Sequence, residues 1–183
     1  MTIFLLNRRR STVAAVVLMS LALGPLGCKR HKATVLTTEE SPLLASVVAT
    51  ADPRLGTQLV SGFYGVESNA WRWTAGRFSV VLRPPSGAAS KGATVQLKFA
   101  IPAVAMAKVK TLSLSAYVNG TPLAPESYTQ AGQYTYSREV PPSLLTGGDV
   151  VKVDFSVDHT LPPSPADHRE LGVVVSLISL QSK

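Results

Sequence analysis

Between residues 64 and 73 the chain gathers a tyrosine, a carboxylate, a guanidinium and two tryptophans: Tyr64, Glu67, Trp71, Arg72 and Trp73. These residue types suit sugars. A pyranose ring offers an apolar C–H face on which an aromatic ring can stack, and hydroxyls that carboxylates and guanidinium groups can hydrogen-bond. In a strand, Trp71 and Trp73 point to one face and Arg72 to the other. The competing role for the tryptophans is as core plugs, and that role is favoured for at least one of them. Glu67 and Arg72 could equally form an ion pair across a sheet end.

A second group lies in Asp158 to Glu170 (DHTLPPSPADHRE), a polar, proline-rich stretch that is long for a strand connection. Long loops between strands often bind ligands. Asp158, His159, Asp167, His168 and Arg169 would line a pocket at one end of the fold. Alternatively, Arg169 pairs with Glu67 and ties the last strand to the Gly62–Glu67 segment. Asp-His occurs twice in this loop, but the spacing matches no metal motif, so no metal and no cofactor are expected. There is no G-x-S-x-G elbow and no HExxH. Glu67 and Asp158 could be imagined as the carboxylates of a glycoside hydrolase, but nothing in the sequence brings them together. No catalytic residue is assigned, and the chain is read as not an enzyme.

Such side chains need a scaffold, and from Asp52 onward the pattern is β. Phe78–Arg83 is a compact apolar run bounded by Gly76 and Pro84-Pro85. Thr94–Phe99, Leu112–Val118 and Val150–Val157 alternate apolar and polar residues. Asn119-Gly120 is a two-residue hairpin turn, since both positions favour φ > 0. Thr121–Leu123 begins the return, Gln133–Val140 is a further strand, and Leu171–Leu180 is apolar enough to be central. Ser86–Gly92 reads as a flexible loop. Beyond the first segment no stretch has a convincing helical period. Many short strands separated by Gly and Pro turns predict an all-β, antiparallel β-sandwich of the jelly-roll kind.

The amino-terminal segment is of another kind. Arg8-Arg9-Arg10 precede an uncharged apolar run, Ser11–Gly24, and then Pro25-Leu26-Gly27-Cys28, which holds the only cysteine. A basic head, a short apolar run and small exit residues make a secretory signal. The run is shorter than the roughly 20 residues a spanning helix needs. With one cysteine, the exported domain has no internal disulfide. Loss of Arg8, Arg9 and Arg10 takes the 18 basic residues to 15 against 11 acidic ones, a balance of +4. Lys29-Arg30-His31-Lys32 is the one basic cluster, placed to lie against anionic headgroups. No basic helix, RNP-like strand or zinc-finger spacing supports a nucleic-acid partner.

Leu26-Gly27-Cys28 resembles the lipobox of bacterial lipoproteins, although Pro25 stands where that family usually has Leu. The resemblance implies cleavage before Cys28 and acylation of its thiol with diacylglycerol, with palmitate-type chains holding the protein on the membrane. Leu114–Leu123, the tyrosine-bearing strand after it and Ser143–Val150 together resemble a galactose-binding-like jelly roll. Ser61–Glu67 leading to Trp71–Thr74, with Asp167–Gly172 before the last strand, is similar to an accessory domain of some bacterial glycosyltransferases. No transferase domain accompanies it here, so no catalytic role is implied.

The expected organisation is therefore a signal peptide over 1–27, a lipidated Cys28 and tether over 28–51, and a β-sandwich over 52–183. A short ordered piece is expected near Leu43 to Val48. The expected role is a non-catalytic carbohydrate- or polysaccharide-binding module of the cell envelope. Tyr64, Glu67, Trp71, Arg72, Trp73, Asp158, Asp167 and Arg169 are its candidate ligand contacts. The alternative is a module that docks another envelope protein, and an enzyme comes third. The partners are the bilayer, through Cys28, and a glycan or envelope protein. Lys29 after the cysteine, in place of the Asp that retains some lipoproteins at the inner membrane, favours the outer membrane.

Overall fold

The structure, a computed structural model, describes residues 44–183. The signal peptide, Cys28 and most of the tether lie outside the described residues. The domain is an all-β, antiparallel β-sandwich of the jelly-roll type, built from ten strands in one curled sheet. The strands are β1 (Val47–Ala49), β2 (Leu59–Glu67), β3 (Trp71–Leu82), β4 (Ala93–Ile101), β5 (Leu112–Val118), β6 (Thr121–Pro122), β7 (Glu126–Tyr128), β8 (Gly132–Val140), β9 (Val151–Val157) and β10 (Val174–Ser182). Two short helices, α1 (Ala88–Lys91) and α2 (Ala103–Val109), connect strands.

β3 makes the sheet into two layers. Its first residues pair with β10, Arg72 opposite Val175 and Trp73 opposite Val174. Its later residues leave β10 and pair with β9, from Arg77 opposite Ser156 to Leu82 opposite Val151. One layer therefore runs β3–β10–β4–β8 and the other β3–β9–β5, with β6 and β7 beside β5. Where β3 departs, β1 takes its place along β10, with Val48 opposite Ile178. β1 thus lies on the amino-terminal side of the boundary drawn at Asp52, overlapping the short ordered piece expected near Leu43–Val48.

The alternation seen in the sequence builds the core between the layers. Val95, Leu97, Phe99 and Ile101 of β4 are buried, as are Leu112, Leu114, Ala116 and Val118 of β5 and Val151, Val153, Phe155 and Val157 of β9. Phe78 stacks on Phe155 at 5.1 Å between centroids, and Tyr136 of β8 meets Phe155 edge-on at 6.5 Å across the layers. Such aromatic pairs contribute about 0.5–1.5 kcal/mol beyond the area they bury. Asn119 and Gly120 carry the positive φ values, 48° and 84°, of the hairpin joining β5 to β6.

Two local readings are corrected. Ser86–Gly92, expected as a flexible loop, contains the helical turn α1, which begins after Gly87 at φ 79°. Ala103–Val109, with no convincing helical period, is nonetheless helical: Ala105 and Met106 alone are buried, too few to print a period on the sequence.

Candidate functional site

Strand register assembles the outer surface of the β3–β10–β4–β8 layer. β2 pairs with the start of β3, placing Glu67 opposite Trp71. On the next strands Val174 lies opposite both Trp73 and Ala100, and Ala100 lies opposite Gln133. Lys98 lies opposite Thr135. Directly opposed residues share a face. Ala100 and Val174 are short, so the surface dips between Trp71 at one end and Lys98, Gln133 and Thr135 at the other. The resulting groove holds about 280 Å³ and is lined by these residues together with Ser176 and parts of Phe99 and Tyr134. Its size is near the lower end of the roughly 300–1,000 Å³ of small-molecule sites.

The two tryptophans have different surroundings. Their rings meet edge-on, 6.4 Å apart at 84°. Trp73 is half-buried and packs against the hydrophobic core. Trp71 is also half-buried but lines the groove. The groove's polar side chains are Lys98, Gln133, Thr135 and Ser176, none of which was singled out from the sequence. Their signal was present only as the polar half of ordinary strand alternation, which marks an outward face and not a site.

Tyr64, Glu67, Asp167 and Arg169 come together in a separate cluster. The Arg169 guanidinium donates through Nη1 to Glu67 Oε1 at 2.9 Å and through Nε and Nη2 to the Asp167 carboxylate at 2.9 and 2.8 Å. It also lies 5.2 Å from the centroid of the Tyr64 ring, and the Tyr64 hydroxyl donates to the Glu170 carbonyl. The alternative offered for Arg169, that it ties the last loop to β2 through Glu67, is formed here. These bonds hold Asp167 down from 3.8 to about 2, chiefly through the Arg169 side chain and then its backbone N–H. Every charge in the cluster has a protein partner, so the group pins the loop to β2.

Arg72 and Asp158 stand elsewhere. Arg72 forms no ion pair with Glu67. Its Nε donates to the Thr50 carbonyl at 2.6 Å and its Nη1 to the Tyr64 carbonyl at 2.8 Å. Alternation explains this, because Arg72 points away from the face that Glu67 and Trp71 share. Asp158 accepts from the Ser113 N–H and pairs with His159 at 3.1 Å. Glu67 and Asp158 thus have different partners. Among the described residues no group of His, Cys, Asp and Glu is arranged to hold a metal ion. The groove sets an aromatic ring beside amine, amide and hydroxyl groups that can donate and accept hydrogen bonds.

No protein-family model and no curated protein matches this chain. Similar solved structures include a mannan-recognising carbohydrate-binding module, TmCBM27, at 13% identity and TM-score 0.46, covering 77% of this chain and 98% of that one. The CBM36-1 domain of a multidomain xylanase from the hindgut metagenome of Trinervitermes trinervoides is similar at 9% identity and TM-score 0.43, covering 75% and 96%. Dimeric latent PorU from Porphyromonas gingivalis is similar at 9% identity and TM-score 0.38, covering 58% of this chain, which spans only 10% of PorU. All three scores are below 0.5, and the fold described above stands on its own strand order and register.

Proposed function

We propose that this domain is a non-catalytic carbohydrate-binding module, carried on a lipoprotein of the bacterial cell envelope. The observation that carries the reading is the groove beside Trp71. An aromatic ring flanks a floor made of Ala100 and Val174, and Lys98, Gln133, Thr135 and Ser176 supply donors and acceptors around it. In this reading Trp71 stacks on the sugar and the polar side chains take its hydroxyls. Glu67 and Arg169 support the β2–β3 end from which Trp71 projects. The anchoring half of the proposal rests on the sequence: the basic head, the short apolar run and the lipobox-like Leu26-Gly27-Cys28. Acylation there would attach the domain to the outer membrane.

Tryptophan emission of the full chain, titrated with mannan, xylan and envelope polysaccharides, tests the binding half. A saturable shift with one glycan is expected. Trp71→Ala should weaken that glycan by about tenfold or more, the equivalent of 1.4 kcal/mol. Trp73→Ala should lower stability before it lowers affinity. Unchanged affinity in Trp71→Ala would refute the groove as the site. Incorporation of labelled palmitate in a bacterial host, lost in Cys28→Ala, tests the anchor.

A further inference from the structure

The outer face of β3, β9 and β5 carries a second depression, on the other layer of the sandwich. It holds about 400 Å³ and is lined by Arg77, Ser79, Tyr117, Lys152, Asp154 and Ser156 among others. The register sets these residues in two rows. Ser79 lies opposite Asp154, which lies opposite Tyr117, while Arg77 lies opposite Ser156. Arg77 and Tyr117 are therefore two strands and one row apart, or about 12 Å at the usual strand spacing and rise, with hydroxyl and carboxylate groups between them.

Polar residues on an outer face are ordinary. Arg77 and Arg83 are both exposed without a side-chain partner among the described residues, and what distinguishes this face is that Arg77 shares its depression with an aromatic ring, Tyr117, as Arg83 does not. Arg72, Arg138 and Arg169 are each bonded to protein acceptors. Arg77 is exposed and has neither an ion pair nor a side-chain hydrogen bond among the described residues. Lys152 is already paired with Asp154 at 2.7 Å, and Ser79 donates to the same carboxylate. Partial burial would raise Asp154, but these two bonds outweigh it and hold the group below the usual carboxylate range. The charge left over is the Arg77 guanidinium. Asp158 and Glu170 line an adjoining depression on its other side, neither within ion-pair distance of it.

We propose that this face is a second saccharide site, specific for a sugar that carries a carboxylate, a hexuronate. Tyr117 stacks on the ring, Arg77 takes the carboxylate through its forked donors, and Asp154 and Ser156 meet ring hydroxyls. The site stands apart from the Trp71 groove and does not rest on that reading. Two glycan sites on opposite outer faces would let one molecule bridge two polysaccharide chains.

Calorimetric titration of the full chain in detergent with trigalacturonate, its methyl ester and a neutral trisaccharide tests this. Binding of trigalacturonate is expected, weaker by about tenfold for the methyl ester and in Arg77→Gln, the worth of one charge-assisted contact. Tyr117→Ala should lose a similar factor. Arg83→Gln should bind as the unaltered chain does. No preference for the acid over its ester would overturn the proposal. So would a loss in Arg83→Gln equal to that in Arg77→Gln, which marks general charge attraction. Binding lost in Trp71→Ala but kept in Arg77→Gln would assign the acid to the first groove instead. A flat response of tryptophan emission to neutral glycans counts only against the first groove.

Discussion

Thr74 is the residue whose replacement most directly probes how β3 is held to β10 at the point where the layers part. It is fully buried, and its hydroxyl accepts from the Val173 N–H at 3.1 Å. The same hydroxyl lies 3.2 Å from the Val173 carbonyl, which already accepts from the Thr74 N–H at 2.9 Å. Thr74→Val keeps the shape and removes the hydroxyl. The carbonyl keeps its backbone partner, so the loss falls on one buried amide, which has no other acceptor among the described residues. An orphaned buried donor costs about 1–3 kcal/mol. Burying a methyl group in place of the hydroxyl returns up to roughly 0.8 kcal/mol. The net expectation is a destabilisation of about 1–2 kcal/mol, or about 3–7 °C in Tm for a domain of this size. Thr74→Ser keeps the hydroxyl and loses only a methyl, so it should cost about 0.8 kcal/mol or less. Urea unfolding measures the totals, and amide exchange at Val173 separates the causes. Exchange should quicken locally in Thr74→Val and not in Thr74→Ser. A Thr74→Val protein of unchanged stability with a still-protected Val173 amide would refute the reasoning.

Acid should weaken the Arg169 cluster in a defined window. The folded-state pKa of Asp167 lies near 2, below its ordinary 3.8, so its ionised form contributes stability above that ordinary value and loses it as pH falls towards 2. Urea unfolding of the unaltered chain and of Asp167→Asn should therefore show a stability difference that is constant above about pH 5, shrinks as pH falls through 2 and is gone by about pH 1. Gly62 and Gly65 of β2 should respond to alanine to very different degrees. At Gly62, φ is 76° and a Cβ would sit 2.1 Å from the Arg77 carbonyl oxygen, whereas at Gly65 it would meet nothing within 4 Å. Gly62→Ala should cost more than about 3 kcal/mol and Gly65→Ala less than about 0.5 kcal/mol, as read by thermal unfolding.

Strands that bury one face were legible. β5 has the bounds that its alternation predicted, and β4, β8 and β9 differ by a few residues at their ends. The Asn119-Gly120 turn was legible because its chemistry is local. β2 was not: its glycines and three register shifts against β3 erase the alternation. Of the twelve residues of β3 only the part from Phe78 onward was read as an apolar strand-like run, since the strand changes layers near Ala75-Gly76 and its buried side changes neighbours with it. The Arg169–Glu67 bond could be offered from charge alone, across 102 positions of sequence, but only as one of several pairings. The groove was half legible. Trp71 announced itself by type, while Lys98, Gln133, Thr135 and Ser176 come from three other strands. Their meeting depends on register, which no single strand encodes.

β10, the last strand of the sheet in sequence, is held between β4 on one side and β3 and β1 on the other. A growing chain that has not yet delivered Val174 lacks the strand to which the other three attach. Pairings of such long sequence separation form slowly. The domain therefore cannot close while its last strand is still being made or still crossing a translocation channel. If the proposed secretory signal sends the chain through such a channel, the delay would keep the polypeptide threadable until β10 emerges, and a chain broken off earlier leaves three open strand edges that invite aggregation.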